Sequence, residues 1–398
     1  MVVSSGESGE INDFVSLTKM QPPKNLTSPP SLSSSSNPPG SLVPEQILPL
    51  EIVEEILCRL PVKLLSQLRC VCKSWNSLIS DPKFAKKHLR YSHKDFTRFH
   101  LLLNFMNPSC ENYLLDYFLP SSFNDITPAT TDLRYPLINQ EYFLSIAGSC
   151  DGFLYSTIGR SFIVWNPSIK KSKMLPSLEI PSLGGISTKI NHGFGYDHLS
   201  DRYKVVSIFH YICDGGRLRN QVHVHTLGSD SWRRIEDFPY VLLLNTFGIF
   251  VSGTLNWFAL ASNDSWAIVS FHLGKESYQE ISQPDYGDES LVTKDLTVLR
   301  DCLCVVADKK TVSDIWLMKE YGIQESWTKL FRVTCEDPKT HPLTLVIYIS
   351  KDDELLLNYQ YKVGVYNPRN VTFKTLLFQY EGFITPWVYV ESLLSPCS

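Results

Sequence analysis

A pair of short apolar runs, separated by turn residues, recurs along the chain after residue 95 and restricts the fold more than any other feature. The runs are rich in β-branched and aromatic residues, which is typical of β-strands. Copies begin about 45–60 residues apart, a spacing typical of propeller blades with four short strands. The second strand of each pair lies at residues 162–167, 222–226, 268–272, 315–318 and 363–368, and the first at 152–156, 203–208, 253–258, 302–307 and 354–359.

Two further segments complete this pattern. Residues 100–105 and 113–119 form a degenerate first copy, and residues 383–390 are placed to close a ring against it. A radial ring of blades leaves only short, protected sheet edges. We therefore predict an all-β domain, a β-propeller-like ring of about six blades. A β-sandwich is the alternative, but roughly 300 residues is long for one.

A small all-α module precedes the strands. Ile52, Val53, Ile56, Leu57 and Leu60 recur at helical spacing, and the pattern predicts three helices in all. The second spans residues 64–79, and the third starts with Asp81 as N-cap and Pro82 as first residue. The first helix carries apolar residues over a broad arc, which indicates either a partner surface or packing on the downstream domain. Val71, Trp75 and Leu78 are assigned to the core of the module.

Composition divides the chain into three parts. Residues 1–46 are rich in serine and proline, which predicts a disordered tail. Residues 47–92 hold the helical module, and residues 95–392 hold the β domain. Residues 47–90 carry eight basic and four acidic side chains, while residues 91–398 have a net charge of −6. Neither part has the dense basic face of a nucleic-acid-binding protein.

Several classes of site and location have no support in the sequence. The ten cysteines include no C-x-x-C pair, and His223 and His225 lack a third ligand, so we predict no metal and no cofactor. No nucleophile elbow, phosphate loop or H-E-x-x-H motif predicts a catalytic residue. No secretory signal or apolar run of about 18 residues is present. We expect a cytoplasmic or nuclear protein with no nucleic-acid or membrane partner.

The helical module resembles the F-box. The matching residues run through all three predicted helices without a gap: Leu48, Pro49, Ile52, Ile56, Leu60, Pro61, Leu65, Val71, Cys72, Lys73, Ser74, Trp75, Leu78, Ile79, Pro82 and Phe84. The β domain resembles the F-box-associated, kelch-like domain of a large plant family. Its matching segments are residues 149–154, 165–167, 193–197, 203–206 and 250–257, in the family's order.

The resemblance implies a function and a set of contact residues. In this family the F-box binds a Skp-type adaptor, which links to a cullin scaffold, and the β domain captures a protein for ubiquitination. The chain would then be a non-catalytic subunit of an SCF-type cullin-RING ubiquitin ligase. The residues expected to bind the adaptor are Leu48, Pro49, Ile52, Ile56, Leu60, Pro61 and Leu65. A glycan-binding F-box protein and, behind it, a propeller enzyme are the alternatives.

Other conspicuous residues receive structural roles. Gly152, Gly193, Gly195 and Gly253 are expected to permit tight turns or close strand approach, and Trp165, Trp257, Trp316 and Trp327 to lie in the core. The substrate-binding residues are not identifiable from the sequence. Candidate loops for substrate capture are residues 184–185, 214–220, 262–265 and 285–289.

Overall fold

The computed structural model describes two parts of the chain, a helical module and a larger all-β domain. The described residues are 48–106, 112–125, 130–132, 144–179, 189–212, 218–242, 246–260, 265–287, 291–334, 344–359, 362–377 and 383–397. The serine- and proline-rich tail expected at residues 1–46 lies outside them.

The helical module, residues 48–92, is described throughout and contains four helices. They are α1 (Leu50–Leu57), α2 (Val62–Leu68), α3 (Lys73–Ser80) and α4 (Pro82–Ser92). The expectation of one helix through residues 64–79 was wrong, because the backbone is extended at Cys72, with φ −156° and ψ 165°. Just before it, the N–H of Val71 bonds to the carbonyl of Leu68, which tightens the end of α2 into a turn. The Asp81 carboxylate caps α4 as predicted.

The core of the module is small. Leu57, Leu65, Ile79 and Phe84 are buried in it, and Trp75 and Leu78 pack against it as expected. Val71 was assigned to this core incorrectly, since it is 62% exposed on the turn between α2 and α3. A module of this size buries little surface by itself, so additional packing is needed for stability.

The rest of the described chain is almost entirely strand. A short helix, α5 (Leu119–Asn124), and two single 3₁₀ turns, Phe96–Arg98 and Gln324–Ser326, interrupt it. The strands are β1 (Phe99–Met106), β2 (Asn112–Phe118), β3 (Thr130–Asp132), β4 (Leu144–Cys150), β5 (Phe153–Ile158), β6 (Ser161–Asn166), β7 (Lys171–Met174), β8 (Lys189–Asp197), β9 (Arg202–Ile212), β10 (Leu218–Thr226), β11 (Arg233–Arg234), β12 (Val241–Leu242), β13 (Phe247–Val251), β14 (Thr254–Leu260), β15 (Trp266–His272), β16 (Ser277–Ile281), β17 (Thr293–Leu299), β18 (Cys302–Asp308), β19 (Val312–Met318), β20 (Trp327–Thr334), β21 (Thr344–Ile349), β22 (Leu355–Tyr359), β23 (Lys362–Asn367), β24 (Thr372–Thr375) and β25 (Phe383–Val390). Within the described residues, no helix is long and apolar enough to cross a membrane.

These strands form five sheets in the described part of the chain. Four have four strands each, in the orders β25-β1-β2-β3, β4-β5-β6-β7, β17-β18-β19-β20 and β21-β22-β23-β24. The fifth has nine strands, β8 to β16. As predicted, β25 closes the ring by pairing antiparallel with β1, from Phe99 opposite Val390 to Met106 opposite Phe383. Apolar clusters join neighbouring sheets, and one of them contains both Leu103 of the first sheet and Leu356 of β22. The all-β, propeller-like architecture is therefore confirmed.

The nine-stranded sheet was not predicted. It arises where β8 and β13 pair in parallel, with Phe247 opposite His192 and Gly248 opposite Gly193. A Cβ at Gly248 would lie 2.4 Å from Cζ2 of Trp257, so only glycine lets the indole pack so close to this strand. A blade count of six thus does not follow from the sheets alone, because two predicted blades are joined here.

Candidate functional site

An exposed apolar surface covers the start of the helical module. We define the α1 apolar surface as Leu48, Pro49, Leu50, Ile52 and Ile56, all of which are exposed. Leu48 is 58% exposed, Ile52 48% and Ile56 49%. Ile52 and Ile56 lie four residues apart on α1, so they share one face of the helix. A contiguous apolar patch of this kind indicates a surface that a partner covers.

The other three residues predicted to bind the adaptor, Leu60, Pro61 and Leu65, differ from one another in exposure. Pro61 is exposed at the N-cap of α2, and Leu60 is half-buried against the core of the module. Leu65 is fully buried at 0% exposure. Its side chain supports the module from inside, and it cannot touch a partner while the helices stay packed. The resemblance to the F-box missed this distinction, because it assigns Leu60 and Leu65 to the adaptor by their position in the motif and not by their burial.

Exposed apolar side chains also occur where the sequence pattern assigned none to a partner surface. Leu50, Leu64 and Val71 are 53%, 38% and 62% exposed. Leu64 precedes the buried Leu65 on a two-turn helix, so the two side chains point in different directions. A helix of seven residues is too short for its periodicity to show which of two adjacent leucines is buried.

The module packs on the ring through a different side from its α1 apolar surface. The carboxylate of Glu391, just after β25, accepts a hydrogen bond from the N–H of Val62 at 3.1 Å. The buried guanidinium of Arg98 donates to the carbonyls of Leu60 and Arg59 and lies 3.5 Å from Glu391. Leu393 packs into the core of the module. The module therefore docks on the β domain through another side, and the expectation that the apolar face of the first helix packs there was wrong. A partner surface on that helix stays a prediction.

A charged cluster surrounds Glu391 where β1 meets β25. His100 Nδ1 lies 3.1 Å from Asp116, and its Nε2 lies 3.7 Å from Glu391. Burial alone would lower the pKa of His100, but the hydrogen bonds to both carboxylates outweigh it and raise the pKa to about 9. Burial would raise the pKa of Glu391, but the hydrogen bonds from His100 and Val62 lower it. The cluster is therefore ionised near neutral pH, and it ties the ring closure to the module.

Two more polar contacts join the module to turns of the ring. Lys86 on α4 pairs with Asp201, which follows β8. His93, at the end of α4, lies 3.0 Å from the carboxylate of Asp151 in the turn after β4. Burial would lower the pKa of His93, but the interaction with Asp151 raises it. Three separate turns or strand ends of the ring thus hold one helical module.

Two cavities are lined by strands from several sheets of the ring. The proximal cavity, about 410 Å³, is lined by the C-terminal ends of β4, β13, β17 and β21 and by His93 of the module. The distal cavity, about 320 Å³, is lined by the N-terminal halves of β13, β17, β21 and β25. Both include Ile249, Thr297, Ile347, Trp387 and Val388, so they adjoin. His93, beside the helical module, lines the proximal cavity, whereas no residue of the module is among those lining the distal cavity.

The glycines and tryptophans with predicted structural roles are all among the described residues. Gly152 and Gly253 have positive φ in turns, and Gly193 and Gly195 allow close approach of side chains to β8. Trp165 and Trp257 are buried, whereas Trp316 and Trp327 are half-buried. The rings of His223 and His225 lie near Phe209 and Trp232 respectively. In the described part of the chain, no group of three His, Cys, Asp or Glu side chains could hold a metal.

The candidate substrate loops are only partly described. Residues 184–185, 214–217, 262–264 and 288–289 lie outside the described residues. Of the remainder, Asn220 is buried and its side chain bonds to His210 and to the carbonyls of Phe238 and Tyr240. Asp285 is exposed and its carboxylate accepts a hydrogen bond from the N–H of Gly287. Asn220 therefore has a structural role.

Comparison with known proteins places both parts of the chain. Residues 46–87 match the F-box domain, and residues 100–379 match the F-box associated beta propeller domain. The F-box/kelch-repeat protein At3g23880 of Arabidopsis thaliana is 30% identical over 358 residues, which is 88% of this chain and 96% of that protein. The F-box protein CPR1 of Arabidopsis thaliana is 30% identical over 321 residues, 74% of each chain.

Solved structures resemble the ring only distantly. The structure of YjhT superposes with a TM-score of 0.38 at 9% identity, covering 70% of this chain and 92% of that one. A luciferin-regenerating enzyme gives a TM-score of 0.37 at 12% identity, covering 75% of this chain and 91% of that one. No functional argument rests on similarities of this size.

Proposed function

Since this chain belongs to the F-box proteins that carry an F-box associated beta propeller domain, we propose that it is the substrate-recognition subunit of an SCF-type cullin-RING ubiquitin ligase. Its helical module binds a Skp-type adaptor, and through it a cullin scaffold. Its ring binds a target protein. The chain works in the cytoplasm or nucleus and performs no catalysis itself.

One observation carries the adaptor half of this proposal, namely the exposure of the α1 apolar surface in a module whose other side is already docked. Leu48, Pro49, Ile52, Ile56 and Pro61 are the proposed direct contacts. Leu60 and Leu65, also expected at the adaptor, act by holding α1 and α2 in place. Fully burying one such apolar side chain contributes about 1.5–3 kcal/mol, so two or three of them can dominate the contact.

The proposed domain boundaries follow the same division. Residues 1–46 form a flexible tail, residues 47–92 the F-box, and residues 95–392 the propeller-like domain. We keep the proposal of six blades, which is supported if the nine-stranded sheet is divided at its two-residue parallel pairing between β8 and β13. Each half then has at least four strands, like the separate sheets.

The proposed mechanism is proximity. A bound target is held near a charged conjugating enzyme, which raises its effective concentration there. This needs a fixed relation between the two ends of the chain. The contacts of Arg98, Glu391 and Leu393 with the helical module support such a fixed relation.

A double substitution tests the adaptor contact. We expect Leu48→Ala with Pro49→Ala to abolish co-purification of the adaptor while the ring remains folded. Leu377→Ala, at a leucine that is 59% exposed on the ring, is the matched control and should leave the adaptor bound. Undiminished adaptor binding by the double variant would refute the proposed contact.

A second experiment addresses the target. A variant lacking residues 48–92 loses much of the surface that packs against Leu393. The full-length double variant is therefore the better bait for co-purifying target proteins. Proteins that co-purify with it, and that accumulate in its presence, are the expected substrates. Substrates that bind wild type but not this variant would contradict capture by the ring.

A further inference from the structure

A depression on the ring is lined by residues of β14, β15 and β17 and by the segment just before β17. We call it the β15–β17 depression. Its volume of about 710 Å³ falls within the range of about 300–1,000 Å³ that ligand pockets occupy. The residues that define it are mainly apolar: Phe258, Trp266, Leu291, Val292, Lys294 and Asp295. Trp266 and Val292 are 39% and 41% exposed, so the apolar wall is open to a partner.

Lys294 brings a positive charge into this apolar site. Its Nζ lies 5.8 Å from the centre of the Phe258 ring and 5.0 Å from the centre of the Tyr286 ring. It donates a hydrogen bond to Oε1 of Gln283 at 2.8 Å. Within the described residues, no carboxylate forms an ion pair with this ammonium. Burial lowers the pKa of Lys294, as expected for a cation that has lost solvation without gaining an anion.

The neighbouring carboxylate does not supply the missing anion. Asp295 follows Lys294 on β17, and successive side chains on a strand point to opposite faces. Asp295 is exposed, so solvent screens its charge. Its carboxylate is not among the causes that shift the pKa of Lys294. The ammonium therefore stays available to an anion from a ligand.

The ammonium is also held in a fixed position. Oε1 of Gln283 accepts hydrogen bonds from Lys294 and from the hydroxyl of Tyr286, while Nε2 of Gln283 donates to the carbonyl of Trp266. One side chain thus positions the cation relative to the apolar wall. An ammonium has three N–H donors, and Gln283 accepts only one of them. Hydrogen bonds in such a poorly solvated place are stronger than in water.

The C-terminal residue of a protein has the chemistry that this site requires. It carries an α-carboxylate and, when its side chain is apolar, an apolar group on the same Cα. An internal aspartate or glutamate would use its side chain for the cation and leave the apolar wall to a neighbour. Residues 91–398 carry a net charge of −6, which disfavours strongly acidic segments. A single terminal carboxylate therefore fits better than an acidic stretch.

We propose that the β15–β17 depression binds the C-terminus of a target protein, with the last side chain on the apolar wall and the α-carboxylate on Lys294. The inference rests on the proposed role of the ring in target binding, and it names the part of the target that is bound. The location agrees. The depression lies at the N-terminal end of β17, whereas the C-terminal end of β17 lines the proximal cavity together with His93 of the module.

Selection from a peptide library by the full chain in complex with its adaptor tests this proposal. The library is randomised at the last three positions and is prepared both as free acids and as C-terminal amides. We expect free acids that end in leucine, isoleucine or phenylalanine to be retained, and their amides to be lost. The best-retained free acid should bind at least about tenfold more tightly than its amide, the factor expected for a charged hydrogen bond.

Three variants sharpen the test. Lys294→Gln removes the charge and should bind the free acid and the amide equally. Trp266→Ala removes part of the apolar wall and should weaken both forms by a similar factor. Lys362→Gln makes the same change in charge at an exposed lysine at the start of β23, and it should behave like wild type. Normal adaptor binding by each variant shows that the chain is folded.

The outcomes separate this inference from the proposed function. Equal retention of free acids and amides, or retention of neither, overturns the inference even when the adaptor is bound normally. Amides with a last glutamate that bind as well as the free acids overturn it too, since a side-chain carboxylate would then suffice. Equal losses in Lys294→Gln and Lys362→Gln would show an effect of long-range charge and also overturn it. Failure to bind the adaptor would instead count against the ligase role, which the ratio of acid to amide does not measure.

Discussion

The carboxylate of Glu391 accepts a hydrogen bond from the backbone N–H of Val62, 329 residues away in sequence. Val62 is the first residue of α2, and the N-cap Pro61 has no side-chain group with which to cap this helix. Glu391, which directly follows the closing strand β25, therefore supplies the cap that Pro61 cannot give to α2. The contact makes the orientation of the F-box depend on closure of the ring.

Removing this cap should destabilise the chain. Glu391→Ala leaves the N–H of Val62 without an acceptor and removes one of the two carboxylates beside the guanidinium of Arg98, the other being Asp95. We expect a loss of about 1–3 kcal/mol in the free energy of unfolding. Urea denaturation measures it, and hydrogen exchange should be faster at Val62. Glu391→Gln, which keeps an acceptor oxygen, should lose less. Equal effects of the two substitutions would contradict a role as cap.

The His100 cluster predicts a loss of stability in mild alkali. Its pKa is about 9 in the folded chain and about 6.5 when unfolded. A raised pKa stabilises the folded state fully below about pH 6.5, and the contribution, on the order of 3 kcal/mol, disappears as the pH rises through about 9. Asp116, Glu391 and Tyr389 face the ring of His100.

Urea midpoints measured across this pH range test the prediction. His100→Gln should flatten the decline between about pH 6.5 and 9. His198→Gln, at an exposed histidine of the ring, is the control and should retain it. An unchanged slope in His100→Gln would show that other groups cause the decline.

The α1 apolar surface predicts graded effects on adaptor affinity. Ile56→Ala removes three carbons from a surface that the adaptor would bury, and about 0.8 kcal/mol for each buried CH₂ predicts at least a tenfold weaker complex. Calorimetric titration measures this. The same substitution at Leu377 should leave the affinity unchanged. If Ile56→Ala lowers the thermal stability of the free chain instead, the residue serves the fold and the predicted surface is wrong.

Close packing at β8 predicts an overpacking penalty. A Cβ at Gly195 would overlap the ring of Phe250, so Gly195→Ala should destabilise the ring by about 1–3 kcal/mol. The smaller side chain in Phe250→Leu should restore part of this stability in the double variant. The free energies of unfolding of the two single variants and the double variant give the coupling. Additive effects would contradict direct contact.

Local patterns in the sequence predicted much of the architecture. The recurring strand pairs and the closing strand Phe383–Val390 were found because period-two alternation and turn residues are local signals. The N-cap of α4 at Asp81 is likewise local. The break at Cys72 was missed, because the apolar spacing of residues 64–79 continues across the turn and only the backbone conformation interrupts it.

Features that depend on distant residues could not be read from the sequence. Leu393 packs on the core that contains Leu65, and Glu391 caps α2 at Val62, and both of these residues are distant in sequence from the helices that they contact. The cavity around which β13, β17 and β25 converge is likewise encoded by no local pattern.

Titration of a purified Skp-type adaptor into the purified full-length chain tests the central claim most directly. We predict a 1:1 complex that forms at submicromolar concentrations and that is lost in the double variant Leu48→Ala with Pro49→Ala. Absence of a complex at micromolar concentrations, with both proteins folded, would contradict the assignment of this chain to a ubiquitin ligase.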